Sequence, residues 1–180
     1  MPIRAQTFLV ILWFLGAALA AEEPSRNFEN LKPLVEGVKK AKIVTLYEGL
    51  PHQTWEAEQL KTEQASKKTV KLHGFPFYEE LLALKDEDAK KLKDLFCAED
   101  SFKAMAPNSQ KKCGGFHPDY CIEWKDDEVT YQVQVCFGCE EVRCYGPKVD
   151  LYCDITRKAF EQFVVILKPY RKNRPETEKK

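Results

Sequence analysis

The chain has 180 residues with 28 basic and 28 acidic side chains, 44% apolar residues and seven cysteines. Zero formal net charge gives no electrostatic footing for binding nucleic acid or an anionic membrane surface. The length is that of one domain with a leader, and so many cysteines in a short chain point to an oxidising compartment.

Residues 1–20 read as an export signal, with Arg4 as the positive start, an apolar run from Phe8 to Leu19, and Ala18-Leu19-Ala20 as a small-x-small cleavage site. The run is about a dozen residues, short of the roughly 20 that span a bilayer, and acidic Glu22-Glu23 follows it. The product is therefore expected to be secreted or periplasmic, with no membrane attachment after cleavage. Taking 20 residues from 180 leaves 160, and losing Arg4 leaves 27 basic against 28 acidic side chains, a net charge of minus one.

Residues 21–40 are polar, contain two prolines, and read as a loosely ordered leader or a single short helix. The single cysteine-rich domain is expected over 41–170. Its first strand falls at 42–47, ended by Gly49-Leu50-Pro51; a polar helix at 55–65 and a short strand at 69–72 follow. A clearer helix covers 86–97, where Asp86 can cap and Ala89, Leu92, Leu95 and Phe96 share a stripe. From Asp119 the period becomes two, giving four strands near 119–124, 129–136, 140–145 and 151–155. A helix at 156–170 closes the domain, with Phe160, Phe163, Val164 and Leu167 on one side; 171–180 reads as a solvated polar tail. The expected fold class is α+β, an antiparallel β-meander with helices packed on one face.

Alternation also assigns faces. If Phe137-Gly138 is a two-residue loop, Cys136 faces Cys139 and Tyr131 faces Cys144; if Trp124 faces Val129, Ile122 meets Tyr131 and His117 approaches Cys136. Tyr120, Ile122, Trp124, Val129, Tyr131, Val133, Val142 and Cys144 then point under the last helix. His117, Asp119, Cys121, Cys136, Cys139 and Glu141 collect on the other, polar face. Cys144, Cys153 and Cys97 are expected as buried apolar sulfurs or halves of a core disulfide.

The polar-face set Cys113, His117, Cys121, Cys136 and Cys139 has the spacing C-x3-H-x3-C-x14-C-x2-C. Three chemistries fit it. Structural disulfides suit an exported chain, with at least one of seven cysteines left over and the connectivity open. A structural zinc is the second, held by Cys136, Cys139 and two of Cys113, His117 and Cys121. The third is thiol chemistry at Cys136 and Cys139, with His117 as base or cation, opposed by the acidic neighbours Glu140 and Glu141. Asp119 is a further candidate catalytic group, paired with Glu141 for acid-base work. His52 and His73 read as loop histidines, and Phe75, Phe77 and Tyr78 as core or a ligand-facing lip. Hydrolase, zinc-protease, phosphate-loop and dinucleotide signatures are missing from the sequence.

The strings Leu46-Tyr47-Glu48-Gly49-Leu50-Pro51-His52, Cys113-Gly114-Gly115-Phe116-His117-Pro118-Asp119-Tyr120 and Cys136-Phe137-Gly138-Cys139-Glu140 resemble those of small secreted bacterial proteins of unknown activity. The resemblance runs over about 43–165 and implies bacterial export, with no activity, cofactor or catalytic residue attached. The expected function is a disulfide-stabilised binding or structural module for a small molecule or protein. The enzyme alternative is a thiol oxidoreductase using Cys136 and Cys139.

Overall fold

The structure is a computed structural model that describes residues 23–106, 114–127 and 129–174. The segment read as an export signal, Cys113 and residues 175–180 lie outside the described residues. A short 3-10 turn, Phe28–Asn30, leads into α1 (Leu31–Lys40), followed by β1 (Ile43–Glu48), α2 (Ala57–Ser66), β2 (Thr69–Leu72) and β3 (Phe75–Tyr78). Then come α3 (Asp86–Cys97), β4 (Phe102–Lys103), β5 (Tyr120–Asp126), β6 (Val129–Cys136), β7 (Glu141–Gly146), β8 (Val149–Ile155) and α4 (Arg157–Leu167). Six strands form one antiparallel sheet in the order β1-β5-β6-β7-β8-β4, and β2 with β3 makes a separate hairpin. This is the expected α+β class. Among the described residues no helix is long and apolar enough to cross a membrane.

Both central hairpins depart from the expected register by two residues, in opposite senses. The β5–β6 turn is tighter, pairing Asp126 with Val129 across a two-residue loop in which Asp127 takes φ +48°. The β6–β7 loop is longer: Cys136 pairs with Glu141, and Glu140 at φ +57° turns the chain back. The observed partners are therefore Trp124 with Tyr131, Ile122 with Val133, and Val133 with Cys144. A shift of two preserves the side-chain faces where a shift of one would invert them. Tyr120, Ile122, Trp124, Val133, Val142, Cys144 and Cys153 accordingly lie in the main core, with Tyr131 packed against it.

That core is roofed by α1, α3 and α4. Leu31, Leu34 and Val38 of α1 are buried in it, so of the two readings of residues 21–40, a loosely ordered leader or a single short helix, the helix holds for Leu31–Lys40. Gly37 of α1 is held against Tyr131, where an added Cβ would stand 2.1 Å from the ring. In α3, Lys85 takes the cap position and Asp86 moves inside the first turn beside Glu87 and Asp88, where three carboxylates face the positive end of the helix dipole. Phe163 and Leu167 of α4 are fully covered, and Pro169 converts the expected last helical turn into the 3-10 turn Lys168–Tyr170.

The opposite face is also covered. The β2–β3 hairpin crosses it, with Gln134 Nε2 donating to the Leu72 carbonyl at 2.9 Å and Phe77 set edge-on against Tyr47. Cys121 and Gln134 are fully buried there, and Glu123, Gln132, Glu141 and Asp154 are buried with them. A face of alternating polar residues has become a second, polar interior.

Candidate binding site at the hairpin end of the sheet

Two groups meet where β5, β6 and β7 end: a sulfur cluster and an ionic cluster. The sulfur cluster packs Cys136 and Cys139 with Phe116 and Tyr152, and Phe75 and Met105 close its edge. Cys136 is a free thiol, as are Cys97, Cys121, Cys144 and Cys153. Cys139 is disulfide-bonded, to a partner outside the described residues, and its Sγ lies 3.6 Å from the Gly115 carbonyl oxygen. Cys136 and Cys139 are therefore not bridged to each other. Burial pushes the Cys136 thiol up to about 11, against the backbone amides of His117 and Cys139 that favour its thiolate. The Cys139 amide donates to Cys136 Sγ at 3.3 Å. At neutral pH the protonated thiol therefore dominates. Burial raises the Cys121, Cys144 and Cys153 thiols as well, and Cys144 and Cys153 are neighbours in the main core without being joined.

Beside this cluster Arg143 of β7 runs under three rings, with its guanidinium carbon 4.7 Å from the Phe116 centroid, 4.6 Å from Tyr152 and 5.3 Å from Phe75. It ties the β2–β3 hairpin, the Gly114-to-Pro118 loop and β8 together through cation–π contacts. Tyr152 also donates to the buried Glu141 carboxylate at 2.6 Å. The acid-base pairing expected for Asp119 and Glu141 does not form by these contacts: Glu141 is engaged with Tyr152, while Asp119 accepts from the Phe137 amide at 2.7 Å and from Arg174. Glu140, expected to burden the Cys136 thiol, turns outward to Arg157 at 3.1 Å.

The ionic cluster contains both remaining histidines of interest. His117 comes next to Cys136 as expected, but by its backbone amide; its ring turns away to the Leu50 carbonyl, 2.7 Å from Nε2. The His52 ring faces it at 4.7 Å between centroids. Burial lowers the His117 pKa, Asp119 acts in the opposite sense, and Arg174 and His52 add to the lowering. His52 Nδ1 accepts from the Thr54 amide at 3.0 Å, which places its proton on Nε2, a buried atom without a hydrogen-bond partner among the described residues. Gly114, at φ +75°, lies under the indole of exposed Trp55, and a Cβ there would come 2.8 Å from Nε1, so only glycine serves. His73 stands apart, stacked on Tyr145 at 3.6 Å to pin the tip of the β2–β3 hairpin.

Tetrahedral zinc needs four converging ligands. Of the proposed set, Cys139 is in a disulfide, the His117 ring is turned to Leu50, Cys121 lies deep under the hairpin and Cys113 is outside the described residues. Among the described residues no group of three or more His, Cys, Asp or Glu side chains is arranged to hold a metal ion.

Three residues of this end escaped the sequence reading: Glu48, Glu56 and Arg174. Glu48 carried a signal, because it continues the inward parity of Val44 and Leu46 and a carboxylate on that parity demands donors. Those donors come from the segment read as a solvated tail: the amides of Lys172, Asn173 and Arg174 all reach Glu48, at 2.7 to 3.2 Å. Nothing local in the sequence ties residue 174 to residue 48. Comparison of the chain with protein-family models, with curated proteins and with solved structures returns no match.

Proposed function

We propose that the chain is an exported binding module for a small molecule or protein, stabilised by a disulfide at Cys139, and that it is not a thiol enzyme. The observation that carries this is the state of the hairpin-tip pair: a free, buried Cys136 with its pKa raised to about 11 beside a Cys139 bonded elsewhere. A redox C-x2-C pair needs an accessible, acidified thiol and a partner sulfur to close on. A disulfide at Cys139 typically stabilises by about 2–4 kcal/mol. The export signal at 1–20 and the resemblance to secreted bacterial proteins support a secreted or periplasmic location. Burial is what keeps Cys121, Cys136, Cys144 and Cys153 compatible with oxidising surroundings, since oxidation proceeds through exposed thiolate, whereas Cys97 is only half-buried. The surface we assign to the ligand is the one around exposed Trp55, with His52, His117 and the ionic cluster behind it.

The oxidoreductase alternative makes the contrary prediction. In a disulfide-reduction assay with a protein disulfide as substrate, the wild type should match the uncatalysed rate and Cys136→Ser should match the wild type. Turnover that disappears in Cys136→Ser overturns the proposal.

A further inference from the structure

The last described residues of the chain occupy the ionic cluster in the manner of a bound peptide. Glu48 is 1% exposed and takes three consecutive amides, Lys172 at 3.1 Å, Asn173 at 2.7 Å and Arg174 at 3.0 Å. The Arg174 guanidinium forks between two carboxylates, Nη1 to Asp119 Oδ1 at 2.7 Å and Nη2 to Glu56 Oε2 at 2.5 Å. Those side chains are 12%, 18% and 10% exposed in the order Arg174, Asp119, Glu56, so the pairs are largely withdrawn from water. Arginine suits such a place because its planar fork satisfies two acceptors at once, which an ammonium group does not.

The receptor half is positioned without the arm. Glu56 Oε2 also accepts from the His52 amide at 2.6 Å, Asp119 Oδ2 from the Phe137 amide, and Glu48 is fixed by the pairing of β1 with β5. Burial alone raises the Glu56 carboxyl, yet the His52 amide and Arg174 hold it below its ordinary value. Three largely buried carboxylates held together require donors and a cation. The arm, by contrast, is appended. The chain is already anchored before it, where the Tyr170 hydroxyl donates to Asp88 at 2.6 Å and accepts from the Lys85 amide at 3.1 Å.

The arm is also an imperfect occupant. Arg174 Nε and Asn173 Nδ2 are buried without hydrogen-bond partners among the described residues, as is Nε2 of His52, a residue nine-tenths buried on the adjoining wall. Buried donors left unmade disfavour the seated arm, and a ligand that supplied an acceptor to His52 Nε2, the one of the three that belongs to the receptor wall, would gain a bond that the arm's described residues do not make. We propose that the Glu48–Glu56–Asp119 cleft is a recognition site for an arginine-bearing extended peptide segment, held in cis by Lys172–Arg174 until such a segment of another protein displaces it. This rests on the binding-module reading and names the class of its ligand. Tethering gives the arm an effective concentration of order millimolar, so the wild type resists weak competitors.

The test uses the full chain and a labelled peptide, acetyl-Arg-Lys-Asn-Arg-Pro-amide, copying residues 171–175, followed by fluorescence anisotropy. Arg174→Ala unseats the arm from the fork. It should bind the peptide saturably and at least about tenfold more tightly than the wild type. Changing the peptide's second arginine to lysine should weaken binding by about tenfold or more, and adding Glu56→Gln to Arg174→Ala should do the same. Near-ultraviolet circular dichroism checks the fold. Should Arg174→Ala fail to fold, Arg174→Lys, which keeps a cation but cannot fork, is used with the same expectations. Equal or absent binding in the variant and the wild type, or indifference to arginine against lysine, overturns the proposal. That failure leaves the non-enzymatic module standing, whereas reductase turnover removes the module and leaves the guanidinium slot untouched.

Discussion

The two faces of the six-stranded sheet come from one alternation and are covered by different material. The face under α1, α3 and α4 is apolar, with Trp124, Phe96 and Phe163 among its largest fully buried side chains. The face under the β2–β3 hairpin buries Glu123, Gln132, Gln134 and Glu141, with half-buried Arg143 set against aromatic ring faces beside them. Apolar burial tolerates approximate partners because it is non-directional, while a polar interior depends on each donor finding its acceptor. The cysteines divide along the same line. Cys144 and Cys153 act as small core residues, whereas Cys136 and Cys139 sit at the rim of the polar side, where the disulfide lies.

The largest expected effect is on the helix-covered side. Phe163→Ala removes a fully buried ring from the centre of that core and should cost about 3–5 kcal/mol in urea unfolding. On the other side Arg143→Ala should cost about 2–4 kcal/mol by the same measurement, because three rings lose the cation they share. Tyr152→Phe should cost about 1–3 kcal/mol, since a buried carboxylate loses a donor; a neutral result would mean that water reaches Glu141 and that the polar interior is not sealed. Glu140→Gln, on the exposed pair with Arg157, should change stability by less than about 0.5 kcal/mol.

The pH dependence sharpens the contrast further. His117 has its folded pKa depressed below the unfolded value of about 6.5, so below that pH the unfolded chain binds the proton more readily. Stability should fall as pH drops through and below that value, and His117→Asn should flatten this part of the curve. Carboxylates contribute with the same sign at lower pH, so the wild-type minus variant difference between pH 7 and 5 isolates the histidine. Identical slopes would show that His117 keeps its solution pKa.

The apolar side was legible in the sequence because period two and period 3.6 mark it directly: Ile122, Val133, Val142, Phe163 and Leu167 fall where alternation and the helical stripe put them. Both hairpin registers were missed by two residues, since loop length was judged from Phe137-Gly138 and from setting Trp124 against Val129, without the left-handed Glu140 and Asp127. Parity is blind to an error of two, which is why the face assignment survived. The polar side was legible in membership and not in burial. Alternation places Cys121, Cys136 and Glu141 together but carries no information that a hairpin 50 residues earlier lies over them. The docked arm was invisible for a related reason: Lys172, Asn173 and Arg174 read as solvated charge, and only tertiary structure brings them to Glu48 and Asp119.

Alkylation of the native protein, followed by unfolding, a second alkylating tag and peptide mass mapping, tests most directly the claim that the hairpin-tip sulfurs are structural. Cys136 should take the second tag only, in company with Cys121, Cys144 and Cys153, while Cys139 should emerge in a disulfide-linked peptide that does not contain Cys136. A Cys136–Cys139 bridge, or a Cys136 that takes the first tag as fast as a solution thiol, would contradict the account.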